Sequence, residues 1–286
     1  GGDGPTLKGG RGGILREIDW EGNILWEHIN FDQHHDCRRL ANGNTLFLGW
    51  EIMPGETAKR VLGGQSGTEL NGMIYSDYLH EVTPAGDVVW EWHAHSDMAL
   101  ENYPMCARCQ RNEFAHANAC APLPNGDVII SFRRLNMIAI IDRKTRKFRW
   151  EHRDDSWGHQ HDCQMLDNGN IMLFANGIHG ADMPHSRVIE LDPNTKEAVW
   201  TYKGSPHYSF FSPHISGAQR LDSGNTLICE GQWGRVFEVT PDGDIVWEYV
   251  SPFFDPNPGS NGNTNMMFRA YRYAVESPQI RGRVSI

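Results

Sequence analysis

Histidines recur at matching positions in this sequence of 286 residues. A short turn of the Asn-Gly type occurs four times and begins at Asn42, Asn125, Asn168 and Ser223. Nine residues before it stand Gln33, His116, His159 and His214, and seven residues before it stand His35, Asn118, His161 and Ser216. Because histidine can act near neutral pH as nucleophile, acid, base or metal ligand, five histidines in equivalent positions predict one shared reactive site.

The same count adds a cation to this set. Eight residues after the turn stand Trp50, Arg133, Asn176 and Gly231. A guanidinium binds an oxyanion through two parallel hydrogen bonds, so Arg133 is a candidate for holding an anionic substrate. Asp36 and Asp162 directly follow His35 and His161, where a carboxylate near a strand end could orient the neighbouring ring.

The cysteines divide into two groups. Cys37, Cys120 and Cys163 stand five residues before the turn, where small apolar side chains suit packing between strands. Cys106 and Cys109 form a C-x-x-C in an insertion and could be a redox pair, half of a metal site or two separate thiols. The remaining histidines in or near loops are expected to be solvated; they are His93, His95, His179, His185 and His207.

Two alternating signatures show which elements must position these residues. The first is a strand, the Asn-Gly type turn and a second strand, as in Leu40–Leu48, and each copy predicts a β-hairpin. The second enters an Asp or Thr-Pro turn and leaves through a tryptophan, as in Val82–Trp90, and predicts another hairpin. Together the two hairpins make a four-stranded unit, which is the blade of a β-propeller.

The repeats predict a single all-β domain over residues 1–286. Four complete blades are expected at about 31–95, 114–152, 157–203 and 209–250, with a half-blade at 14–28 and a closing strand at 266–273. Because the first strand of a blade lies nearest the propeller axis, the histidines should gather at one mouth of the central channel. The insertions 51–75 and 96–113 are long enough to be functional loops.

Composition excludes several functions. The formal net charge of −10 makes binding to a nucleic-acid backbone unlikely, since that affinity comes from clustered Lys and Arg. No apolar run approaches the length of a membrane helix. Thiols on separate blades need not pair, which favours a cytoplasmic location, with the periplasm as the alternative.

Several motifs resemble the bacterial arylsulfate sulfotransferase family. They are Phe114-Ala-His-Ala-Asn118, Ser131-Phe-Arg133, Gln160-His-Asp162 and Phe174-Ala-Asn-Gly177, in the family's order. The resemblance covers nearly the whole chain. It implies a six-bladed propeller, of which about one N-terminal blade is missing here.

The resemblance also implies an activity and roles for individual residues. Members move a sulfuryl group from a phenolic sulfate ester to a phenol without a nucleotide donor or a cofactor, through a sulfated histidine. His161 would then be the nucleophile, His35 and His116 would act on the donor and acceptor oxygens, and Arg133 would hold the sulfonate. His214, His159, Asn118 and Asn176 are expected to line the substrate site.

Departures from the family pattern keep two alternatives open. Ala175 stands where the family has an aspartate, and additional histidines and cysteines surround the site. One alternative is an enzyme that binds zinc, copper or iron in the channel through residues among His35, His116, His159, His161 and His214. The other is a propeller without catalytic activity that binds a partner through its insertions.

Overall fold

The computed structural model describes residues 9–180, 183–256 and 262–283. Contacts divide the chain into two compact units, residues 1–165 with 179–181 and residues 166–178 with 182–286. Both units are built from β-strands with a few short helical turns, so the predicted all-β class is confirmed. Among the described residues, no helix combines the length and apolar character needed to cross a bilayer.

The first unit contains thirteen strands. They are β1 (Ile14–Ile18), β2 (Ile24–Ile29), β3 (Gln33–Arg39), β4 (Thr45–Ile52), β5 (Gly63–Gln65), β6 (Tyr75–Val82), β7 (Val88–His93), β8 (Met105–Gln110), β9 (Ala117–Pro122), β10 (Val128–Phe132), β11 (Met137–Ile141), β12 (Phe148–Arg153) and β13 (His161–Met165). Two short helices lie between them, α1 (Gly55–Ala58) and α2 (Ala94–Asp97), and 3-10 turns occupy Leu100–Asn102, Arg133–Leu135 and Asp155–Trp157.

The first unit forms two four-stranded antiparallel sheets, with strand orders β3-β4-β6-β7 and β9-β10-β11-β12. In both, strands adjacent in sequence pair with each other, apart from the insertion that carries β5, and β1 pairs with β2 as a separate hairpin. This repeated meander is the blade topology of a β-propeller, as predicted. The insertions form their own parallel pair, β5 with β8.

The second unit repeats the pattern. Its strands are β14 (Ile171–Ala175), β15 (Arg187–Leu191), β16 (Ala198–Lys203), β17 (Gly217–Arg220), β18 (Thr226–Glu230), β19 (Arg235–Val239), β20 (Ile245–Val250), β21 (Asp255–Pro256) and β22 (Asn263–Thr264). Its 3-10 turns are His207–Ser209 and Gly231–Trp233. Strands β17 to β20 form a four-stranded antiparallel sheet in sequence order, and β14, β15 and β16 pair consecutively.

The hairpins occur where the sequence predicts them, but their turns differ from the expected two-residue type. Only the glycine has a positive φ, +84° at Gly43 and +89° at Gly126, while the preceding asparagine does not. The Gly43 amide donates to Leu40 O at 3.0 Å, and the Leu40 amide donates to Asn44 O at 2.8 Å. These bonds define a type I turn followed by a glycine bulge, which is the common three-residue hairpin connection.

Three of the tryptophans that end the second hairpins connect neighbouring blade elements. Trp26 Nε1 donates to Pro84 O at 2.9 Å, and Trp90 Nε1 donates to Arg143 O at 2.9 Å. In the second unit, Trp200 Nε1 donates to Pro241 O at 2.8 Å. The repeated Trp therefore binds the outer turn of the next hairpin pair, which explains its fixed place in the sequence.

The buried residues form a separate core in each unit. In the first unit, β10 and β11 are buried along their whole length, and fully buried Leu48, Leu79 and Trp92 extend that core into the preceding sheet. In the second unit, Phe174, Phe210 and Phe237 occupy the corresponding place. Continuous apolar runs such as Met137–Ile141 follow from packing on both faces of a middle strand.

The expected strand over 266–273 does not form. The chain there instead follows β17 through isolated contacts, with the Ser216 amide donating to Phe268 O at 3.0 Å. The side-chain amide of Gln219 makes two bonds to the backbone of Arg272, at 2.7 and 3.0 Å. A side chain therefore takes the place of the backbone ladder that a strand would need.

Candidate functional site

The first unit brings together four of the predicted site residues, His35, His116, His161 and Arg133. The rings of His35 and His116 make an edge contact with centroids 4.7 Å apart. Burial lowers the pKa of His35 well below its ordinary value. Four neighbouring charges lower it further, those of His116, His34, His161 and Arg133. Three histidines thus meet at one site: His35 from β3, His116 from just before β9 and His161 from the start of β13.

The histidines reach this site from irregular backbone and not from one face of regular strands. In β3, His34 pairs with Leu48 and Cys37 pairs with Phe47, so His35 and Asp36 bulge out of the ladder. His35, His116 and His159 all have positive φ, at +50°, +55° and +68°. The ladder of β3 is therefore interrupted at His35 and Asp36, and side chains do not alternate regularly between the two faces of the sheet there.

The bulge also gives Asp36 a structural task. Its Oδ2 accepts the backbone amide of Cys120 at 2.9 Å, and its Oδ1 accepts from Nη1 of Arg38 at 2.7 Å. Asp36 therefore connects β3 to β9, and these contacts give it a role other than orienting the ring of His35.

His35 is supported by a second histidine that sequence reasoning missed. Nδ1 of His35 lies 2.8 Å from Nδ1 of His34, and Nε2 of His34 lies 3.3 Å from the buried carboxylate of Asp77. The indole of Trp50 stacks on the His34 ring with centroids 4.2 Å apart. Burial raises the pKa of Asp77. His34 and Asp77 are therefore buried behind His35, although Nε2 of His34 and the Asp77 carboxylate make no hydrogen bond in the described structure.

His116 has its own carboxylate. Nδ1 of His116 lies 2.7 Å from Oε1 of Glu113, and the same oxygen lies 2.9 Å from Nη2 of Arg134. Nη1 of Arg134 also donates to three acceptors, Gln110 O, Asn112 Oδ1 and Glu113 O, at 2.7 to 2.8 Å. Arg134 thus holds the end of the 96–113 insertion and fixes Glu113. Burial lowers the pKa of His116 well below its ordinary value, and the charge of Arg133 adds to that effect.

Arg133 differs from Arg134 in the contacts of its guanidinium. Its backbone amide donates to His116 O at 3.0 Å, which fixes the residue at the site. Across residues 9–180, 183–256 and 262–283, however, no carboxylate or carbonyl accepts a hydrogen bond from its guanidinium. Burial lowers the pKa of Arg133. A cation held in this state is available to bind an anion.

His161 opens β13 and is buried, with 3% of its surface exposed. The preceding Gln160 fixes this end of the strand, because its Nε2 donates to Ser131 Oγ, Phe132 O and Met137 O at 2.9 to 3.2 Å. Asn118 Nδ2 donates to Gln160 O at 2.8 Å, while its buried Oδ1 makes no hydrogen bond in the described structure. Two predicted residues, His161 and Asn118, are therefore held next to each other.

His159 takes a different place from the one expected. Its Nε2 lies 3.5 Å from Sγ of Cys109, and its ring makes an edge contact with His179 at 4.6 Å between centroids. Sγ of Cys106 lies 3.3 Å from Nδ1 of His179. The donor atoms of these four residues lie within 4.8 Å of one another, so they could hold a metal ion. His179, expected to be solvated, belongs to this group.

The other histidines that the sequence predicts as metal ligands do not form such a group in the described structure. Within the described parts of the chain, neither His35, His116, His161 nor His214 belongs to a set of His, Cys or acidic donor atoms that converge within 4.8 Å. Glu51, His93 and His95 form a separate convergent set, with Nδ1 of His93 2.8 Å from the Glu51 carboxylate. Glu51 and His93 line a cavity of about 500 Å³ together with Trp50 and Tyr78.

Two of the predicted substrate residues belong to the second unit. Asn176 is fully buried, and its Nδ2 donates to Ser212 O and Ile215 O at 2.8 and 3.0 Å. His214 is half-buried, and its carbonyl accepts from Ser212 Oγ at 2.9 Å. Asn176 therefore positions the loop that carries His214.

Sequence reasoning missed the residues behind the reactive side chains. Glu113 stands three residues before His116, and His34 directly precedes His35, so both were within reach of a local search. Asp77 gave no such signal, since it lies on β6, more than forty residues along the chain from His34. Only the pairing of β4 with β6, which sets Trp50 opposite Asp77, brings it to the site.

Solved structures with the same type of fold show low sequence identity. A protein of unknown function from Bacteroides caccae matches 84% of this chain and 78% of its own, with 13% identity and a TM-score of 0.51, which supports a shared fold. Virginiamycin B lyase from Staphylococcus aureus (15% identity, 77% of this chain, TM-score 0.43) and BamB from Moraxella catarrhalis (15%, 84%, 0.40) are more distant. The chain spans 56% and 51% of their lengths.

No curated protein matches the sequence significantly. The profile of one protein family does match, over residues 3–252, and that family is described as arylsulfotransferase (ASST). The match includes every residue of the histidine and arginine site and supports sulfuryl transfer as the type of reaction. On the strength of this match the chain belongs to the arylsulfotransferase (ASST) family.

Proposed function

We propose that this protein transfers a sulfuryl group from a phenolic sulfate ester to a phenol, through a sulfated intermediate on His161 and without a nucleotide sulfate donor. The observation that carries the proposal is the guanidinium of Arg133, which lies near the buried imidazoles of His35 and His116 and makes no ion pair with a carboxylate among the described residues. The anionic sulfonate of the substrate would act as the counter-ion of the Arg133 guanidinium.

In the first step, Arg133 holds the non-bridging oxygens of the ester. A nitrogen of neutral His161 attacks sulfur, so that an N–S bond forms while the S–O bond to the ring breaks. The bonding electron pair leaves on the phenolate oxygen. His35 or His116, protonated in the substrate complex, gives that oxygen its proton and returns to the neutral form.

The second step reverses these roles. The same neutral imidazole removes the proton from an acceptor phenol, and the phenol oxygen attacks the sulfur on His161. The N–S bond breaks, and its electron pair returns to His161. The carboxylate of Glu113 stabilises the His116 imidazole while that ring carries the proton, and the ring of His34 lies behind His35 with 2.8 Å between the two Nδ1 atoms.

Charge coupling makes the first protonation possible. In the free protein, burial and Arg133 lower the pKa of His116, which keeps its ring neutral. A bound sulfate ester offsets the Arg133 charge and therefore raises the pKa of both histidines. The protonated acid is thus favoured only when the anionic substrate is present.

The predicted binding residues contribute at the edges of this site. Asn118 offers a buried Oδ1 that has no hydrogen bond from the described protein and can accept one from a phenol hydroxyl. His214 and Asn176 stay candidates for substrate contacts on the evidence of the sequence alone.

The test measures phenolate release from a chromogenic nitrophenyl sulfate in the presence of an acceptor phenol. We expect turnover by the wild type and none by His161→Asn, while His207→Asn, which alters an exposed histidine of the second unit, keeps full activity. Without acceptor, mass spectrometry of rapidly quenched protein should find one added SO₃ group on the peptide that contains His161. Full activity of His161→Asn, or an adduct on another residue, would refute the assignment of the nucleophile.

A further inference from the structure

Two cysteines and two histidines converge outside the reaction described above. They are Cys106 and Cys109 on β8, His159 just before β13, and His179 in the loop after β14. All four lie in the same compact unit, and their four donor atoms are mutually within 4.8 Å. The sulfuryl transfer mechanism uses none of these thiols, so their convergence requires another explanation.

The spacing fits a tetrahedral metal ion. With Zn–S bonds of about 2.3 Å and Zn–N bonds of about 2.0 Å, the edges of the tetrahedron are roughly 3.3 to 3.8 Å long. Sγ of Cys106 lies 3.3 Å from Nδ1 of His179, and Sγ of Cys109 lies 3.5 Å from Nε2 of His159. Each thiol thus stands at an edge distance from one imidazole nitrogen.

Backbone contacts hold the segments that carry the four ligands. The His159 amide donates to Asn136 Oδ1 at 2.8 Å, and β8 pairs with β5 at Gly63. A side chain at Gly63 would overlap Met105 O at 2.3 Å, so glycine is required for this approach. Arg134 holds the carbonyl of Gln110 at the end of β8. The four ligands therefore come from segments that the fold has already positioned.

We propose that Cys106, Cys109, His159 and His179 bind one zinc ion in a closed, structural site. Two thiolates with two imidazoles in tetrahedral positions are a ligand set that zinc prefers, and four protein ligands leave no position for substrate. The ion ties the 96–113 insertion to the segment that leads into β13, two residues before His161. The proposal concerns metal binding alone and does not depend on the sulfuryl transfer reaction.

The direct test is the metal content of the purified full-length chain by plasma mass spectrometry, after expression with added zinc and dialysis against a weak chelator. We expect about one zinc per chain for the wild type. Cys106→Ser, Cys109→Ser and His179→Gln should each lose most of it. Cys37→Ser and His207→Gln, which change the same residue types outside the cluster, should keep it.

A second measurement identifies the ligands without relying on zinc affinity. Cobalt added to the apoprotein should give the absorption bands of tetrahedral Co²⁺ and a sulfur-to-cobalt charge-transfer band, and Cys106→Ser should weaken the latter. His179 is exposed, so its substitution by glutamine should leave the fold intact, as circular dichroism can verify. The His35→Gln and His116→Gln variants should bind zinc as the wild type does.

Three results would overturn the proposal. The first is a wild-type protein that binds neither zinc nor cobalt and has Cys106 and Cys109 joined in a disulfide. The second is metal that stays in all three cluster variants. The third is metal lost from His35→Gln and His116→Gln but retained by Cys106→Ser, which would move the ion into the channel.

Discussion

Oε1 of Glu113 lies 2.7 Å from Nδ1 of His116. A carboxylate at this distance accepts a hydrogen bond from Nδ1–H. The neutral ring therefore carries its proton on Nδ1 and its free lone pair on Nε2. Because Arg134 holds the same carboxylate oxygen at 2.9 Å, the ring cannot easily turn. The pair therefore sets both the tautomer and the direction of one of the two histidines proposed to move protons.

Replacing that carboxylate should slow the chemistry more than it weakens binding. Glu113→Gln can keep an acceptor oxygen at Nδ1 but removes the negative charge that stabilises the protonated ring, so we expect kcat to fall by about 10²-fold with a much smaller change in KM. Steady-state kinetics with a chromogenic sulfate ester measure both. Glu56→Gln, on the exposed helix α1, is the matched control and should leave kcat and KM unchanged. An unchanged kcat for Glu113→Gln would remove His116 from proton transfer.

Loss of the Arg133 guanidinium should destabilise the transition state of sulfuryl transfer. For Arg133→Gln we expect kcat/KM to fall by about 10²- to 10³-fold, since one fixed donor to the transferring group is lost. Arg133→Lys should recover part of the activity because charge is kept while the two-point contact is lost. Arg146→Gln, a partly exposed arginine in an outer turn, should behave as the wild type. Equal activity of Arg133→Gln and wild type would contradict the proposed sulfonate site.

Acid should destabilise the folded protein through its buried imidazoles. The pKa of His116 is lowered in the folded state, whereas the unfolded chain takes up a proton near the ordinary value of 6.5. Below that pH the unfolded state binds more protons, so the free energy of unfolding decreases as pH falls. His116→Asn should make this slope shallower, by at most about 1.4 kcal/mol per pH unit. Urea titrations between pH 7 and 5 measure it, with His207→Asn as the unchanged control.

The hydrogen bond that Trp90 makes to the next hairpin should contribute to the free energy of unfolding. Trp90 donates to Arg143 O, and the Arg143 guanidinium lies 4.9 Å from the ring centre. Trp90→Phe keeps an aromatic ring but loses the donor, so we expect the free energy of unfolding to drop by about 1 to 2 kcal/mol. Tyr208→Phe, at a side chain that is 66% exposed, should change it by less than about 0.5 kcal/mol. Chemical denaturation followed by fluorescence compares the two, and equal values would mean that the bond contributes nothing.

The repeats could be predicted because the Asn-Gly type turns and the hairpin tryptophans alternate along the sequence. Counting from the turns was enough to bring His35, His116 and Arg133 to one place. The path of the backbone between those positions could not be predicted, since positive φ is uncommon for any residue other than glycine and the sequence of β3 contains no signal for a bulge. The partners of the C-x-x-C were also hidden. His179 lies 73 residues beyond Cys106, and the course of an insertion is not encoded by the repeats around it.

The left-handed backbone at His35, His116 and His159 has a consequence for how this protein can change over generations. The cores of the two units accept any apolar side chain of suitable volume, so their sequences are free to drift. At the three histidines the backbone itself penalises most replacements, β-branched residues above all, and favours glycine, asparagine or aspartate. A descendant that loses this chemistry is therefore expected to carry one of those small residues there, and it could gain stability in the exchange.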